Sequence, residues 1–284
     1  MSINILSHYN LLNIIEAANP ILPDLQKLIA PWHGERIRRI DRYIQLCLAG
    51  GLNCVQGRTL PADTGVYLAS RAGAVTTSAA AMSFIQSEGA LPKPLHFVNT
   101  LGNSAGYYLT RLLQVNGNTL VVSDEQLSFE AALAHAAMDL QAGRISTALV
   151  GGFDEVALPV TEHLQRLNAA TDTAALYEGS HWLLLSNDQA NNKLTVSPPV
   201  YLATQEALSF WLERHPHLPL QLCFTPNAQE QSLLAKRHTE LFGSDACAHG
   251  VLSGAALTAL VDGGKPSIHL AKKASGCYCA VAIQ

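Results

Sequence analysis

The sequence predicts an α/β protein, and three observations carry that expectation. First, Thr119 to Val122 read as a short buried strand, Leu127 to Ala142 as a helix rich in Ala, Leu and Met, and Ile145 to Val150 as a second apolar strand ending in Gly151-Gly152. Gly143 fits the C-cap of that helix. Second, the chain has 284 residues, 48% of them hydrophobic, enough for a substantial core in one compact unit or two fused halves. Third, Asn187 to Asn192 form a polar turn that divides the chain, placing the halves at 1–192 and 193–284.

The remaining elements follow in order. Ser197-Pro198-Pro199 is extended, because proline disfavours helix at and before itself. Val200 to Arg214 read as an edge strand plus an amphipathic helix, Leu220 to Phe224 as a strand, and the segment after Gly276 as a final apolar strand.

Composition sets limits on function. The net charge is −4, and the one basic cluster, Arg36 to Arg42, carries its own Asp41, which suits a solvated helix face and not a nucleic-acid patch. No apolar run approaches the roughly eighteen residues of a membrane span, and the N-terminus lacks a basic region followed by a cleavage site, so a cytoplasmic protein is expected. The 6 cysteines are scattered in apolar or small-residue contexts and suit buried thiols in a reducing compartment. Cys277 and Cys279 alternate along a predicted strand, but a CxC without a second ligand pair does not make a metal site. His215 and His217 flank Pro216 in a loop with no acidic or Cys neighbour. Neither metal nor cofactor is expected.

Five segments, in order, resemble the β-ketoacyl synthases of the thiolase superfamily. Arg36 to Gly50 is similar to the family's early helix, and Asn99, Asn103 and Gly106 to its asparagine-rich stretch before a small-residue helix. The run from Ser123 to Glu155 resembles its VSxxC, helix and AGGxE pattern, Glu178-Gly179 its "EG then apolar strand", and Gly250 to Ala256 its GHTxGAAG. The resemblance implies a thiolase-like fold: two pseudo-repeated βαβ halves in a layered α-β-α-β-α arrangement, here shortened.

The same resemblance shows what is missing. Gln126 stands at the nucleophile position, and the interval from it to Gly151 matches the family's Cys-to-Gly spacing without a gap. An amide is neutral at all pH values and cannot take an acyl chain as a thiolate does. The first catalytic His has no counterpart in Thr225-Pro226-Asn227, Val251 occupies the second His position, and Ala246 the supporting Lys position. His249 is out of register, and the glycine-rich gate loop keeps only Gly276. Joint loss of nucleophile, imidazoles, Lys and gate implies a fold retained for a non-catalytic purpose.

The chain most resembles the shortened chain length factors of aryl polyene type II polyketide systems. That resemblance implies a heterodimer with a Cys-containing ketosynthase, indirect contact with an acyl carrier protein, and a role in closing the far end of the acyl tunnel. Counting back from Gln126 to the family's lining segments reaches Gly73 to Ala81 and Phe97 to Asn99, and Thr76, Thr77, Ala80 and Met82 or Phe84 are the expected lining residues. Tight helix packing calls for the same small residues.

Three other readings stay open. One is a malonyl-carrier-protein decarboxylase of the Gln-ketosynthase type, against which the absent His pair counts. The second is a hydrolase or transferase built from Ser123, Asp124, Glu125 and His135. The third is a structural homodimer. Asp124 and Glu125 also have a plain role at the positive end of a helix, where Asp or Ser is a natural N-cap.

Overall fold

The structure is a computed structural model, and it describes residues 2–32, 37, 40–167, 175–188, 194–235, 239–242 and 252–284. The first half contains β1 (Ile3–Glu16), α1 (Gln26–Ile29), α2 (Arg42–Val55), β2 (Gly65–Ala69), α3 (Val75–Glu88), α4 (Pro94–Asn99), α5 (Asn103–Leu113), β3 (Thr119–Val122), α6 (Ser128–Gln141), β4 (Thr147–Asp154), α7 (Val160–Leu167) and β5 (Ala175–Ser186). The second contains β6 (Thr195–Val196), β7 (Val200–Leu202), α8 (Gln205–Glu213), β8 (Leu220–Leu222), α9 (Ala228–Leu234), β9 (Thr239–Leu241), α10 (Leu252–Gly263), β10 (Ser267–Lys272) and β11 (Tyr278–Ile283). The expected division at 192 falls outside the described residues.

Strand order shows the repeat directly. In the first half β2 lies between β3 and β4, parallel to both, β5 runs antiparallel to β4, and β1 antiparallel to β5. In the second half β8 lies between β9 and β10, parallel to both, β11 runs antiparallel to β10, and β7 antiparallel to β11. The short β6 pairs with β1 and β11 and joins the two sets.

Side-chain alternation along the strands builds the layers. On one face of the first sheet, α2 and α5 bury Leu46, Leu48, Ala105 and Leu109 with Val66, Leu68 and Trp182. On its other face, Phe129, Leu133 and Leu140 of α6 and Leu257 and Val261 of α10 pack with Ile3, Val150 and Leu183. The same cluster includes Val281 and Ile283 of β11, so α6 and α10 lie between the two sheets. The alternate residues Ala280 and Ala282 face outward with Leu208 and Leu212 of α8 and Leu234 of α9. Helix, sheet, helix, sheet and helix layers result, as the resemblance implies.

The two central helices approach closely at Gly254, where a Cβ would sit 2.8 Å from the Phe129 ring. A tighter approach surrounds Trp182. Its indole is fully buried between Gly50 of α2 and Gly151 of β4, and its Nε1 donates to Ser180 Oγ at 2.7 Å, which in turn donates to the Leu46 carbonyl at 2.7 Å. Phe153 and then Tyr43 extend this aromatic stack, with ring centroids 5.9 and 4.8 Å apart.

Several local expectations need correction. β3 is an edge strand, with Thr119 exposed and the next three residues half-buried, because no described strand lies beyond it. β4 does not stop at the glycines but continues through Gly151-Gly152 to Asp154, paired to β2 and β5. The early helix starts at Arg42, where the Asp41 side chain accepts the Ile44 N–H as N-cap. Of its basic run, Arg36, Arg38 and Arg39 lie outside the described residues. Cys277 precedes β11, and only Cys279 lies in it.

Candidate functional site

The chain turns from β3 into α6 through a short 3-10 turn, Glu125–Leu127. Glu125 has φ +51°, a backbone conformation that costs a non-glycine residue about 1–3 kcal/mol. This strained position immediately precedes Gln126. Asp124 does not cap α6, as the sequence suggested. The Asp124 N–H instead donates to Ser128 Oγ at 2.9 Å, that hydroxyl donates to the Glu125 carbonyl at 2.8 Å, and the Asp124 carboxylate pairs with Lys273. Gln126 is half-buried, but its Oε1 is enclosed and has no partner among the described residues.

No Ser-His-acid arrangement forms at this turn. Ser123 Oγ donates to the Arg71 carbonyl at 3.4 Å, Asp124 is engaged by Lys273, and His135 is exposed further along α6. Val251, Ala246 and His249 lie outside the described residues. Residues 223–227 join β8 to α9, and Asn227 caps α9 in a reciprocal box with Glu230.

Sequence reasoning missed a buried polar array beside the turn. Glu130, one helical turn beyond Gln126, faces His269 of β10, with Oε1 2.7 Å from Nε2 and both side chains fully buried. The other ring nitrogen, Nδ1, lies 3.7 Å from Cys223 Sγ. A signal was present, since Glu130 and His269 are lone ionisable residues inside apolar patterns, LSFEAAL and SIHLA.

A second feature lies on the outer side of the first half. A cavity of about 890 Å³ is lined by Ile40, Asp41, Thr76, Thr77, Ala80, Lys93, Pro94, Leu95, His96 and Asn99. Thus α3 contributes Thr76, Thr77 and Ala80 to one wall, while Met82 and Phe84 lie outside the lining and are 56% and 41% exposed. Hydrogen bonds fix this wall. Thr77 Oγ1 donates to Asp41 Oδ2 at 2.6 Å, and the Thr76 N–H donates to Glu155 Oε1 at 2.9 Å.

Glu155 and its neighbour Asp154 carry unusual protonation behaviour. Burial pushes Glu155 up to about 7, opposed by the Thr76 amide bond and reinforced by the Asp41 charge. Burial also pushes Asp154 up to about 6, against hydrogen bonds from Ser70, Arg71 and Ala72. Both folded values lie above the ordinary carboxylate values of 4.5 and 3.8, so the native state binds more protons than the unfolded chain between those limits. Their contribution is therefore fully present below the ordinary values and is lost as pH rises through about 6 to 7. For Glu155 the loss is on the order of 3 kcal/mol. Urea unfolding of wild type and Glu155→Gln across pH 5 to 8 is expected to show a falling stability in the wild type and a flatter curve in the variant. Parallel curves would refute this assignment.

No protein-family model matches the sequence, and no curated protein matches it. Solved structures do match in shape. One is titled AntDE:AntF, a type II PKS acyl-carrier protein in complex with its ketosynthase bound to the hexaketide; it superposes with a TM-score of 0.77 at 14% identity, spanning 100% of this chain and 99% of that one. The chain has the ketosynthase fold. The ishigamide ketosynthase/chain length factor superposes at 0.70 with 16% identity over 98% of this chain and 99% of the other. The ketosynthase ApeO in complex with its chain length factor ApeC, from Xenorhabdus doucetiae, superposes at 0.57 with 13% identity over 99% of each chain.

Among the described residues no group of His, Cys, Asp and Glu could hold a metal ion. No helix of the described residues is long and apolar enough to cross a membrane.

Proposed function

We propose that this chain is a chain length factor: a ketosynthase-like subunit that pairs with a Cys-containing ketosynthase and shapes the acyl tunnel during polyketide or aryl polyene elongation. What carries this reading is the amide of Gln126 at the turn between β3 and α6, where the sequence resemblance expects the nucleophile of a ketosynthase. An amide there cannot accept an acyl chain, which leaves condensation to the partner's thiol and imidazoles. Carrier protein then docks chiefly on the partner, and a cytoplasmic setting belongs to the same reading, as does a division of the fold at 192 and 193.

An unpartnered apolar surface supports the pairing. α3 has no buried residue, and α3, α4 and α5 with their connections expose Phe84, Leu91, Phe97, Val98, Leu101 and Tyr107 beside the edge strand β3. Apolar surface of this kind, gathered on consecutive helices, marks a protein interface. The 890 Å³ cavity is lined by Ile40 and Asp41 before α2 and by residues of α3 and α4, so two of the helices that carry this surface also form its walls. A partner seated on this surface would meet the cavity, and Thr76, Thr77 and Ala80 would then form one wall of a shared tunnel, with Met82 and Phe84 towards its rim.

Tunnel length is in this reading a packing property. Ala80→Trp adds an indole to the wall and is expected to shorten the products by at least one two-carbon unit, read by mass spectrometry of the released chains. Unchanged product length from an intact complex would overturn the assignment of the tunnel wall.

A further inference from the structure

We propose that Cys223 is an acyl-accepting thiol, activated by His269 and oriented by Glu130, that takes an acyl group from a thioester. The proposal concerns this chain alone and does not rest on pairing with a ketosynthase.

Geometry carries the argument. Cys223 Sγ, His269 Nδ1 and Nε2, and Glu130 Oε1 form a continuous line, with separations of 3.7 and 2.7 Å. In the tautomer the proposal assigns, Nε2–H donates to Glu130 Oε1 and the Nδ1 lone pair faces the thiol. That is the thiol, base and orienting-acid relation that nucleophilic cysteines use. Three different elements, the end of β8, β10 and α6, supply the three groups, and β10 alternation puts His269 on the face opposite Ile268 and Leu270.

The location suits an acyl thioester. Cys223 packs against Leu127, Ala271 and Cys279, and Leu127 is the residue after Gln126, so the thiol lies behind the turn. Two enclosed oxygens on that side, Gln126 Oε1 and Glu130 Oε2, have no partner among the described residues. Burial and the Glu130 charge push the Cys223 thiol well above its ordinary range, so the resting group is the neutral thiol. Glu130 then stabilises the imidazolium.

The step balances. His269 Nδ1 takes the thiol proton as Sγ attacks the thioester carbonyl carbon. The tetrahedral oxyanion collapses with cleavage of the bond to the departing sulfur, and His269 returns the proton to that thiolate. The products are an S-acyl Cys223 and a free thiol. No decarboxylation is involved, so the thiol holds a chain without extending it.

The test uses the full-length chain, incubated with acetyl-coenzyme A and followed by peptide mass spectrometry. Cys277 is an internal control, being half-buried like Cys223 but with its sulfur directed to the Tyr278 carbonyl. Acetylation of Cys223 is expected to be at least tenfold faster than that of Cys277, and to disappear in Cys223→Ala. Glu130→Gln is expected to lower the rate at saturating thioester about tenfold with the half-saturating concentration unchanged, a split that mere loosening of the fold does not produce. Equal rates at the two cysteines, or no acetyl group on Cys223, would overturn the proposal, and an unaltered rate in folded Glu130→Gln would remove Glu130 from it. The wild-type comparison stands even where that variant does not fold.

Discussion

Phe97→Glu is expected to abolish the complex with a ketosynthase while leaving the chain folded. Phe97 is 58% exposed on α4, beside Val98, and in the proposed heterodimer it is covered by the partner. Burying a phenylalanine contributes about 1.5–3 kcal/mol, and a carboxylate in its place imposes a desolvation cost as well. Together these amount to at least about 4 kcal/mol, or a loss of about a thousandfold in affinity. The folded chain has little to lose, because the side chain already faces solvent. Affinity by titration calorimetry, with the thermal midpoint as control, reads both effects, and unchanged affinity would show that this face is not the interface.

Gly151→Ala is expected to have the largest effect on folding. A Cβ at this position would lie 2.3 Å from Cδ2 of Trp182, its cross-strand partner. The indole cannot retreat, because Gly50 closes its other side and Ser180 holds its Nε1. Overpacking of a well-filled core costs about 1–3 kcal/mol and more where nothing can shift. The variant is expected to lose about 3 kcal/mol or more. Adding Trp182→Phe is expected to recover part of that loss by opening space beside the new methyl, a coupling that separate effects on the strand would not show. Strictly additive effects in urea unfolding would contradict this packing argument.

The same glycine shows why part of the fold was legible in the sequence. Motifs that resemble a family, such as Gly151-Gly152 before Glu155 and Glu178-Gly179 before Trp182, stand for a close strand contact that few other residues permit. They located β4 and β5, and the helix α6 that precedes β4. β1 was not read, although it is the longest strand and pairs with β5 along almost its whole length. Its sequence mixes polar and apolar residues without a clean period, because the strand crosses from the buried centre at Ile3 to the exposed Ile14.

The candidate site divides in the same way. The strand, turn and helix around Gln126 were legible along one continuous segment; counting back along it reaches Thr76, Thr77 and Ala80, which line a cavity whose part in an acyl tunnel belongs to the proposed function. Cys223, His269 and Glu130 come together only through the layering of α6 against the second sheet, and no local spacing encodes that contact. The buried ion pair of Arg42 and Glu178 was hidden for the same reason, since it ties the start of α2 to β5.

Native mass spectrometry of the chain co-expressed with a Cys-containing ketosynthase from the same genome tests the central claim most directly. A one-to-one heterodimer is expected, with elongation of a carrier-bound chain only when both subunits are present. A homodimer that forms alone and consumes malonyl-carrier protein unaided would contradict the account.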